Sequence, residues 1–521
     1  MRNAVLCALF LWGVSAALQF QNAAFSADIG ADPDEPAHVV TSLMLRDYLA
    51  HGLIKGEHPL HFARDYYDHF PKVALGHYPP GFYLLSGAWL LPCPTKHALM
   101  LFIGLLSGVL GAVTAVMACR CGLARVSASI VGLWVVLLPI TQKLSMLVMS
   151  DLLLASLCLL AVAAFASFLD KPAAPSALLF GVLAAAAILT KASAVALALV
   201  PPLSILALGR WRLCLNWRLW LAPVPVALTA LPWTLFTMKI TQEGMSGQST
   251  AEYFPEALKF YASAAVQTFG PIILVAATIP VIVSVPKLWK RSGHANTNAV
   301  VLGCFGVSLA SLYLVSPTGF SSRYLLPLAP LLLIAAAFAF SLLRAVWHHR
   351  MAAGACVGLG AMASLILLGG VEPKVASGIA AMAEEITARA PGGKVLISSD
   401  ARGEGALVAE MAFRIPDRCA SPWSIVRASK FMASSDWSGR DYQAAFANRE
   451  EFTAALQSDR IGWIVEDVSV PDSYLQKHHL QIKEWCSALS AATTITASRQ
   501  GATMPGTVSL FQTPVVGEGK P

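Results

Sequence analysis

Long apolar runs dominate the sequence and limit its fold more than any other feature. They measure about 17–22 residues and are separated by short polar breaks, close to the roughly 20 residues that a helix needs to cross a bilayer core. Because backbone polar groups must be hydrogen-bonded inside the hydrocarbon layer, such runs predict helices. We count about eleven spans, near residues 3–22, 97–118, 126–142, 152–169, 176–190, 192–208, 219–237, 270–286, 299–316, 324–343 and 351–370.

Composition agrees with a polytopic α-helical membrane protein. Hydrophobic residues make up 56% of the chain and charged residues 13%, against roughly 45–50% and 25% in soluble domains. If the N-terminus is cytoplasmic, every break that falls inside carries Lys or Arg, as the positive-inside rule requires. These breaks are 119–125, 170–176, 209–218, 286–294 and 343–350. The net charge of +7 is thereby assigned to membrane orientation, and we expect no nucleic-acid partner.

The chain divides into two predicted domains, a membrane domain over 1–370 and a more polar domain over 371–521. In the second domain, "EEITARA" before "GGKVLISSD" and "EFTAALQSDRIGWIVED" both show a helix followed by a strand, which predicts a small α/β domain. "RGEGALV" (402–408) lacks the third glycine and the lysine of a nucleotide loop, so we interpret it as a helix start. Cys419 and Cys486 are the candidates for a disulfide in this domain.

The first predicted span admits a second interpretation. Arg2, an apolar core over 5–18 and the small residues of 23–27 are also compatible with a cleaved secretory signal. In both cases residue 28 onward emerges outside, so the loop 23–96 is outward. Within that loop, 39–53 has the period of an amphipathic interfacial helix. The stretch 77–92 is too short to span, and its two prolines predict the start of a re-entrant or interfacial helix.

Ionisable residues collect at the outer boundary of the predicted spans. They are Asp34, Glu35, His77, Lys143, Asp151, Lys191 and Arg323, with Tyr78 next to His77. Charges at membrane depth cost roughly 2.5–3.5 kcal/mol each and are usually paired or functional. Simpler roles exist for each: Lys143, Lys191 and Arg323 as helix-end anchors, Asp151 or the Asp34–Glu35 pair as helix caps, and His77 as a structural hydrogen-bonding residue. Together they suit a reaction in which a carboxylate takes a proton while cations stabilise a departing phosphate.

Five motifs in order resemble those of the GT-C glycosyltransferases. They are "DPDEPAH" (32–38), "HYPPGFYLL" (77–85), "MSDLLLASL" (149–157), "LTKASAVAL" (189–197) and "SSRYLLPLAPLLL" (321–333). The likeness is to the family 39 branch, which contains the protein O-mannosyltransferases and the lipid A aminoarabinose transferase, and it covers roughly residues 1–370. It implies a GT-C fold and a bacterial inner-membrane enzyme whose active site and C-terminal domain are extracytoplasmic.

The resemblance also implies roles for individual residues. Asp34 corresponds to the catalytic carboxylate, with Glu35 as its neighbour. Lys191 and Arg323 correspond to donor-phosphate contacts, and His77 and Tyr78, in the segment that lines the site, are assigned to the same donor-phosphate group. In the aminoarabinose transferase branch a lysine commonly stands where this chain has His77 or Tyr78, which sets this sequence apart. Asp151, with His38, is assigned to the acceptor or metal region.

The expected partners are a polyprenyl-phosphate sugar donor, membrane lipids and an acceptor that is a lipid, a glycan or a protein. No cofactor is required, because two cations suffice to stabilise the leaving phosphate. A divalent metal held by Asp34, Glu35, His38, His77 and Asp151 stays open as an alternative. A transporter or flippase is the competing function, but such proteins often carry internal repeats and place charges near the bilayer midplane, and neither feature is found in this sequence.

Overall fold

The computed structural model describes residues 2–242, 248–289, 296–346, 370–435, 441–471, 474–499 and 505–513. Among the described residues, helices joined by loops and turns make up the part up to Val346, and helices alternate with strands from Ile379 onward. The helices are α1 (Arg2–Gln21), α2 (Glu35–Asp47), α3 (Leu53–Lys55), α4 (Pro59–His69), α5 (Gly81–Trp89), α6 (Lys96–Arg120), α7 (Arg125–Leu137), α8 (Pro139–Ser145), α9 (Asp151–Asp170), α10 (Ala174–Ile188), α11 (Val200–Leu208), α12 (Pro223–Pro225), α13 (Leu231–Gln242), α14 (Thr250–Phe269), α15 (Pro271–Trp289), α16 (Thr297–Val315), α17 (Ala329–Val346), α18 (Ile379–Arg389), α19 (Ala401–Arg414), α20 (Ala428–Phe431), α21 (Arg449–Ser458) and α22 (Lys477–Cys486).

Short non-α turns connect several of these helices. They are π-helical at Tyr48–Gly52 and Val226–Ala230, and 3-10 helical at Ala192–Leu199, Trp211–Leu215, Trp217–Leu221 and Ser322–Leu328. Two of them matter for the site. Lys191 immediately precedes the turn Ala192–Leu199, and Arg323 lies within the turn Ser322–Leu328.

Six described helices are long and apolar enough to cross a membrane, or up to eight if two bent pairs each form one span. The first ten predicted spans all fall on apolar helical segments. The two remaining predicted spans coincide with shorter apolar helices, Ala174–Ile188 and Ala192–Leu208, which are not counted among these eight. Pro139 also follows a bend of 58° between α7 and α8. The eleventh predicted span, 351–370, lies outside the described residues apart from Gly370.

The C-terminal region forms a five-stranded mixed sheet in the order β2-β1-β5-β7-β6. The strands are β1 (Gly393–Ser398), β2 (Trp423–Arg427), β3 (Ala433–Ser434), β4 (Gln443–Ala444), β5 (Ile461–Asp467), β6 (Ala491–Ala497) and β7 (Gly506–Gln512). The strand β1 pairs in parallel with β2 and β5, while β7 pairs antiparallel with β5 and β6. The predicted α/β domain is therefore present, including the helix-strand units that end in β1 and β5.

The glycines of "RGEGALV" serve close packing. Asp400 caps α19 by accepting a hydrogen bond from the backbone of Gly403 at 2.9 Å, so the prediction of a helix start is confirmed. A Cβ on Gly405 would lie 2.9 Å from Pro36 Cβ and 3.0 Å from Lys72 Cε. Glycine at this position therefore lets the first loop lie directly on α19.

The helix predicted over 39–53 is present, but it is buried inside the protein instead of lying along the membrane interface. The α-helix ends at Asp47 and continues as the π-helical turn, and almost all of α2 is buried. It packs between α5 and α19: Ser42 and His38 bond to Ser86 and Tyr83 of α5, and Asp47 binds Arg418 of the C-terminal domain. The loop that carries the acidic motif is consequently an interior element between the two domains.

The two candidates for a disulfide are not joined in the structure. Cys419 and Cys486 are both free thiols. Cys486 is buried in the smaller apolar core under α22, whereas Cys419 is exposed on the turn before β2.

Candidate active site

Asp34 lies at the centre of a small polar cluster beside α2. Its Oδ2 accepts hydrogen bonds from Tyr78 Oη at 2.8 Å and from Arg323 Nη2 at 2.6 Å. Arg323 Nη1 also lies 3.5 Å from Asp32 Oδ2. Among the described residues, the second oxygen of Asp34, Oδ1, accepts no hydrogen bond, and the side chain is 18% exposed. One oxygen is thus fixed and the other is available.

The local backbone argues against a capping role for this carboxylate. Asp34 occupies the N-cap position of α2, but its side chain makes no cap hydrogen bond. Its own backbone N–H donates to Asp32 Oδ1 at 2.9 Å. The side chain therefore turns away from the helix end and towards Arg323.

The two aspartates of the cluster have pKa values that shift in opposite directions. Burial alone would raise the pKa of Asp34, but the charge and hydrogen bond of Arg323, with the hydrogen bond from Tyr78, lower it below its usual value. For Asp32, burial outweighs the more distant Arg323, so its pKa is raised. Asp34 is therefore the carboxylate that stays ionised most readily.

Glu35 points in another direction, although it is the next residue. Its side chain is fully buried, and Oε1 lies 2.6 Å from Lys374 Nζ. The other oxygen accepts from the backbone N–H groups of Gly30 and Ala31 at 2.9 and 3.1 Å. Glu35 therefore lies behind residues 28–34, which we call the acidic loop, and outside the cluster around Asp34.

Lys191 and Asp151 form an ion pair with 2.7 Å between Nζ and Oδ1. The Tyr324 ring lies beside both cations, with its centroid 4.8 Å from Lys191 Nζ and 5.6 Å from Arg323 Cζ. Asp151 Oδ2 and Arg323 Nε are buried and have no hydrogen-bond partner in the part of the chain that the structure describes. Unpaired buried polar atoms are costly, and here they mark a place where a polar ligand group or water would be stabilised.

His38 and the segment with Tyr78 form an aromatic wall. His38 is buried, its Nδ1 lies 2.9 Å from Tyr83 Oη, and its ring centroid is 4.7 Å from that of Tyr78. Burial lowers the pKa of His38 to about 4, so the imidazole is neutral near pH 7. His77 is partly buried in the turn before α5.

The turn before α5 is docked tightly onto the segment that carries Lys191. The Gly81 N–H donates to Leu189 O at 2.7 Å, and a Cβ on Gly81 would lie 2.8 Å from the same oxygen. This contact brings "HYPP" next to Lys191. Lys143, by contrast, is exposed on α8, in keeping with a helix-end anchor.

The alternative of a divalent metal at this site requires a cluster of ligand side chains. Within the described ranges, no group of three or more His, Cys, Asp or Glu side chains is placed to hold a metal ion. The oxygens of Glu35 are directed to Lys374 and to backbone N–H groups, and Asp151 Oδ1 is directed to Lys191. We therefore derive no chemical step through a metal.

Two residues of the site, Asp32 and Tyr324, and one residue behind it, Lys374, escaped the sequence analysis. Asp32 stands in the same motif as Asp34 and could have been included on that ground. Tyr324 follows Arg323 directly, but a tyrosine at the start of an apolar run is common in membrane interfaces. Lys374 follows the last predicted span and resembles an ordinary flanking lysine.

The described architecture is that of the GT-C glycosyltransferase fold, so the fold class predicted from the sequence is confirmed. Two crystal structures of ArnT from Cupriavidus metallidurans carry this likeness. The apo structure aligns with a TM-score of 0.58 at 15% identity and the structure bound to undecaprenyl phosphate with 0.54 at 16%, each over 97% of both chains.

A third solved structure is similar to a smaller extent. It is the Archaeoglobus fulgidus oligosaccharyltransferase in complex with Zn and sulfate, with a TM-score of 0.51 and 12% identity over 89% of this chain and 67% of its own. No family model and no curated protein sequence matches the chain. At these identities the comparisons establish the fold, and the chemistry has to be argued from the site.

Proposed function

We propose that this protein is a membrane glycosyltransferase that moves a sugar from a polyprenyl-phosphate donor to an acceptor, with Asp34 as the general base. The observation that carries the proposal is the arrangement of this carboxylate. Arg323 and Tyr78 hold Oδ2, while Oδ1 accepts no hydrogen bond from the described residues. A base that is ionised, oriented and accessible on one oxygen fits the requirements of proton abstraction.

The proposed donor site lies on the cationic side of the cluster. ArnT, which shares the fold, has a structure bound to undecaprenyl phosphate, which supports a lipid phosphate as the donor's anchor. Lys191 Nζ has three N–H groups, of which one is directed to Asp151. Arg323 Nε has no partner among the described residues. We assign the donor phosphate to these two cations, with His77 and Tyr78 lining the same pocket.

The proposed step is an inverting displacement. The acceptor oxygen or nitrogen forms a bond to the anomeric carbon while the bond from that carbon to the phosphate oxygen breaks. The acceptor proton passes to Asp34 Oδ1, and the bonding electron pair leaves with the polyprenyl phosphate, whose charge Lys191 and Arg323 stabilise. Asp151 and the neutral His38 belong to the wall of the acceptor side, and we place Glu35 in a supporting role.

We place the reaction on the outer face of a bacterial inner membrane, with the α/β domain on the same side. The basic breaks between the spans support this orientation through the positive-inside rule. The acceptor is a lipid, a glycan or a protein of the cell envelope. Analysis of the labelled product will show whether the transferred sugar is a hexose or a pentose.

The test measures sugar transfer by the purified full chain in bilayer nanodiscs. A polyprenyl-phosphate pool with a radiolabelled sugar is supplied together with cell-envelope lipids, glycans and proteins. Asp34→Asn should lower transfer by about 10²–10⁴-fold, the usual contribution of a general base. Asp32→Asn is the matched control, because it removes a neighbouring carboxylate that shares Arg323, and it should stay within about tenfold of the wild type.

The fraction that carries the label identifies the acceptor class. Binding of polyprenyl phosphate, measured in parallel, should be retained in Asp34→Asn. Unchanged transfer by a folded Asp34→Asn protein would refute the assignment of the base. Movement of an intact donor across proteoliposomes, with no transfer to any acceptor, would support the flippase alternative instead.

A further inference from the structure

Glu35 is the point where three separate segments of the chain meet. Its Oε2 accepts from Gly30 and Ala31 in the acidic loop, and its Oε1 accepts from the backbone N–H of Val148 at 3.3 Å. The third partner is Lys374, whose Nζ donates to Oε1 at 2.6 Å. One carboxylate therefore holds the loop before Asp34, the loop before Asp151 and the segment that enters the C-terminal domain.

Lys374 is buried as deeply as its partner. The side chains are 2% and 0% exposed, respectively. The Lys374 backbone N–H donates to Asn22 O at 2.9 Å, so the residue is fixed from both its main chain and its side chain. A buried carboxylate and a buried ammonium are each costly to leave alone, which makes the pair an obligatory unit of the folded state.

Neighbouring contacts extend the same junction. Asp28 Oδ2 accepts from Ser377 Oγ at 2.8 Å, and Glu410 Oε1 accepts from the Ile29 N–H at 3.1 Å. Both bonds connect the acidic loop to the C-terminal domain. The loop that carries Asp34 is thus positioned by residues more than 330 positions later in the chain.

We propose that Lys374 and Glu35 act as a positioning pair that sets the placement of Asp34 relative to Asp151 and Lys191. This inference rests on the proposed function for its kinetic readout. Asp34 and Glu35 are adjacent, and Val148, which donates to Glu35, lies three residues before Asp151, so a shift of Glu35 moves the segments that carry both Asp34 and Asp151. Neither Lys374 nor Glu35 contacts the reacting groups in this role.

A second buried ion pair at the same interface provides the matched control. Arg418 binds Asp47 through two hydrogen bonds, from Nε at 2.6 Å and from Nη2 at 2.9 Å, and both side chains are buried. It also joins the first loop to the C-terminal domain. However, Asp47 ends α2, at the opposite end from Asp34. Loss of this pair should weaken the interface without displacing Asp34.

The experiment compares Lys374→Met with Arg418→Met in the full chain. Lys374→Met should lower kcat by about 10²-fold, the loss expected when a reacting group moves by about 1 Å, with KM for the polyprenyl-phosphate sugar within about threefold. The acid limb of its rate profile should also move to higher pH, because Asp34 is held less closely against Arg323 and its pKa therefore rises. Arg418→Met should lower the melting temperature while kcat per folded molecule stays within about threefold of the wild type.

The double variant Lys374→Met/Glu35→Gln keeps the test decisive if Lys374→Met does not fold. It removes both buried charges together, so it should be more stable than Lys374→Met, yet kcat should remain low because the link is missing. Wild-type kcat in the folded double variant would overturn the proposal. Equal kcat losses in Lys374→Met and Arg418→Met would overturn it as well.

Hydrogen exchange separates this inference from the glycosyltransferase assignment. Amide exchange in residues 28–35 and 146–151 should increase in Lys374→Met and not in Arg418→Met, whatever reaction the site performs. If the wild type transfers no sugar but this exchange pattern is found, the proposed function fails and the positioning pair stands. If both variants show the same exchange in these residues, the positioning pair fails by itself.

Discussion

Two clusters of the same composition occur in the two domains of this protein. The first, the loop cluster, consists of Asp32, Asp34 and Arg323, and the second, the sheet cluster, of Asp400, Asp467 and Arg499. In the sheet cluster Arg499 also donates to Ser399 Oγ at 2.7 Å and to Ser469 Oγ at 3.1 Å, so each guanidinium nitrogen has a partner. In the loop cluster Arg323 Nε has none among the described residues.

Exposure separates the two clusters in the same way. The side chains of Arg499 and Asp400 are each 5% exposed, whereas those of Arg323 and Asp32 are 16% and 30% exposed. A buried and fully hydrogen-bonded cluster fixes the fold at the carboxyl ends of β1 and β5. A partly open cluster with an unpaired donor keeps capacity for a ligand. The number of charges does not distinguish structure from function here, but the completeness of their hydrogen bonding does.

The largest expected difference comes from removing each arginine. Arg323→Met should reduce sugar transfer by about 10²–10³-fold, because a cation that stabilises the leaving phosphate and orients the base is lost. Arg499→Met should instead lower the free energy of unfolding by about 3–5 kcal/mol, because two buried aspartates lose their partner. Single-turnover transfer and thermal unfolding, measured on both proteins, provide the comparison. Equal losses of transfer per folded molecule would erase the distinction between the clusters.

The second prediction concerns pH. Asp34 acts as a base only when ionised, so the transfer rate falls as the pH drops through its pKa, which Arg323 and Tyr78 hold low against the effect of burial. In Arg323→Gln the burial remains and the compensating charge is gone, so the acid limb should move to higher pH. The profile of kcat/KM against pH measures this shift. Arg499→Gln is the control, and a limb that moves equally in both variants would contradict the assignment.

How far the sequence predicts this site depends on the range of the interactions. Apolar runs and their charged breaks are local, so the membrane helices, the α/β domain and the gathering of Asp34, Asp151, Lys191 and Arg323 follow from pattern and topology. The partner of each charge does not. Arg323 and Asp34 are 289 residues apart, and no pattern indicates that Lys191 pairs with Asp151.

Adjacent residues show a second limit. Asp34 and Glu35 read as one acidic pair, but successive residues around a helix start point about 100° apart. Asp34 therefore faces Arg323, and Glu35 faces Lys374. The partner that each carboxylate finds depends on how α2 packs against α5 and α19, which the sequence pattern does not encode. The same packing makes α2 an interior helix instead of an interfacial one.

A smaller effect is expected from Tyr78→Phe. The change removes one hydrogen bond to ionised Asp34 and leaves Arg323 in place, so kcat/KM should fall about tenfold, which corresponds to about 1.5 kcal/mol for a bond to a charged group. Tyr83→Phe is the matched control, because its hydroxyl contacts His38 and not Asp34. Steady-state transfer by both variants tests the point. A larger loss of kcat/KM in Tyr83→Phe would show that the aromatic wall, and not the hydrogen bond to Asp34, controls the rate.

The smallest effect should come from the histidine of the wall. With its pKa lowered to about 4 by burial, His38 stays neutral from about pH 5 upward, so it takes no part in proton transfer near neutral pH. His38→Gln keeps a hydrogen-bonding group near Tyr83 and should change kcat less than about threefold. The shape of its pH profile between 5.5 and 8 should match that of the wild type. If the wild type has an inflection near pH 6.5 that His38→Gln removes, His38 titrates in the free enzyme and the acidic loop must open more than this structure indicates.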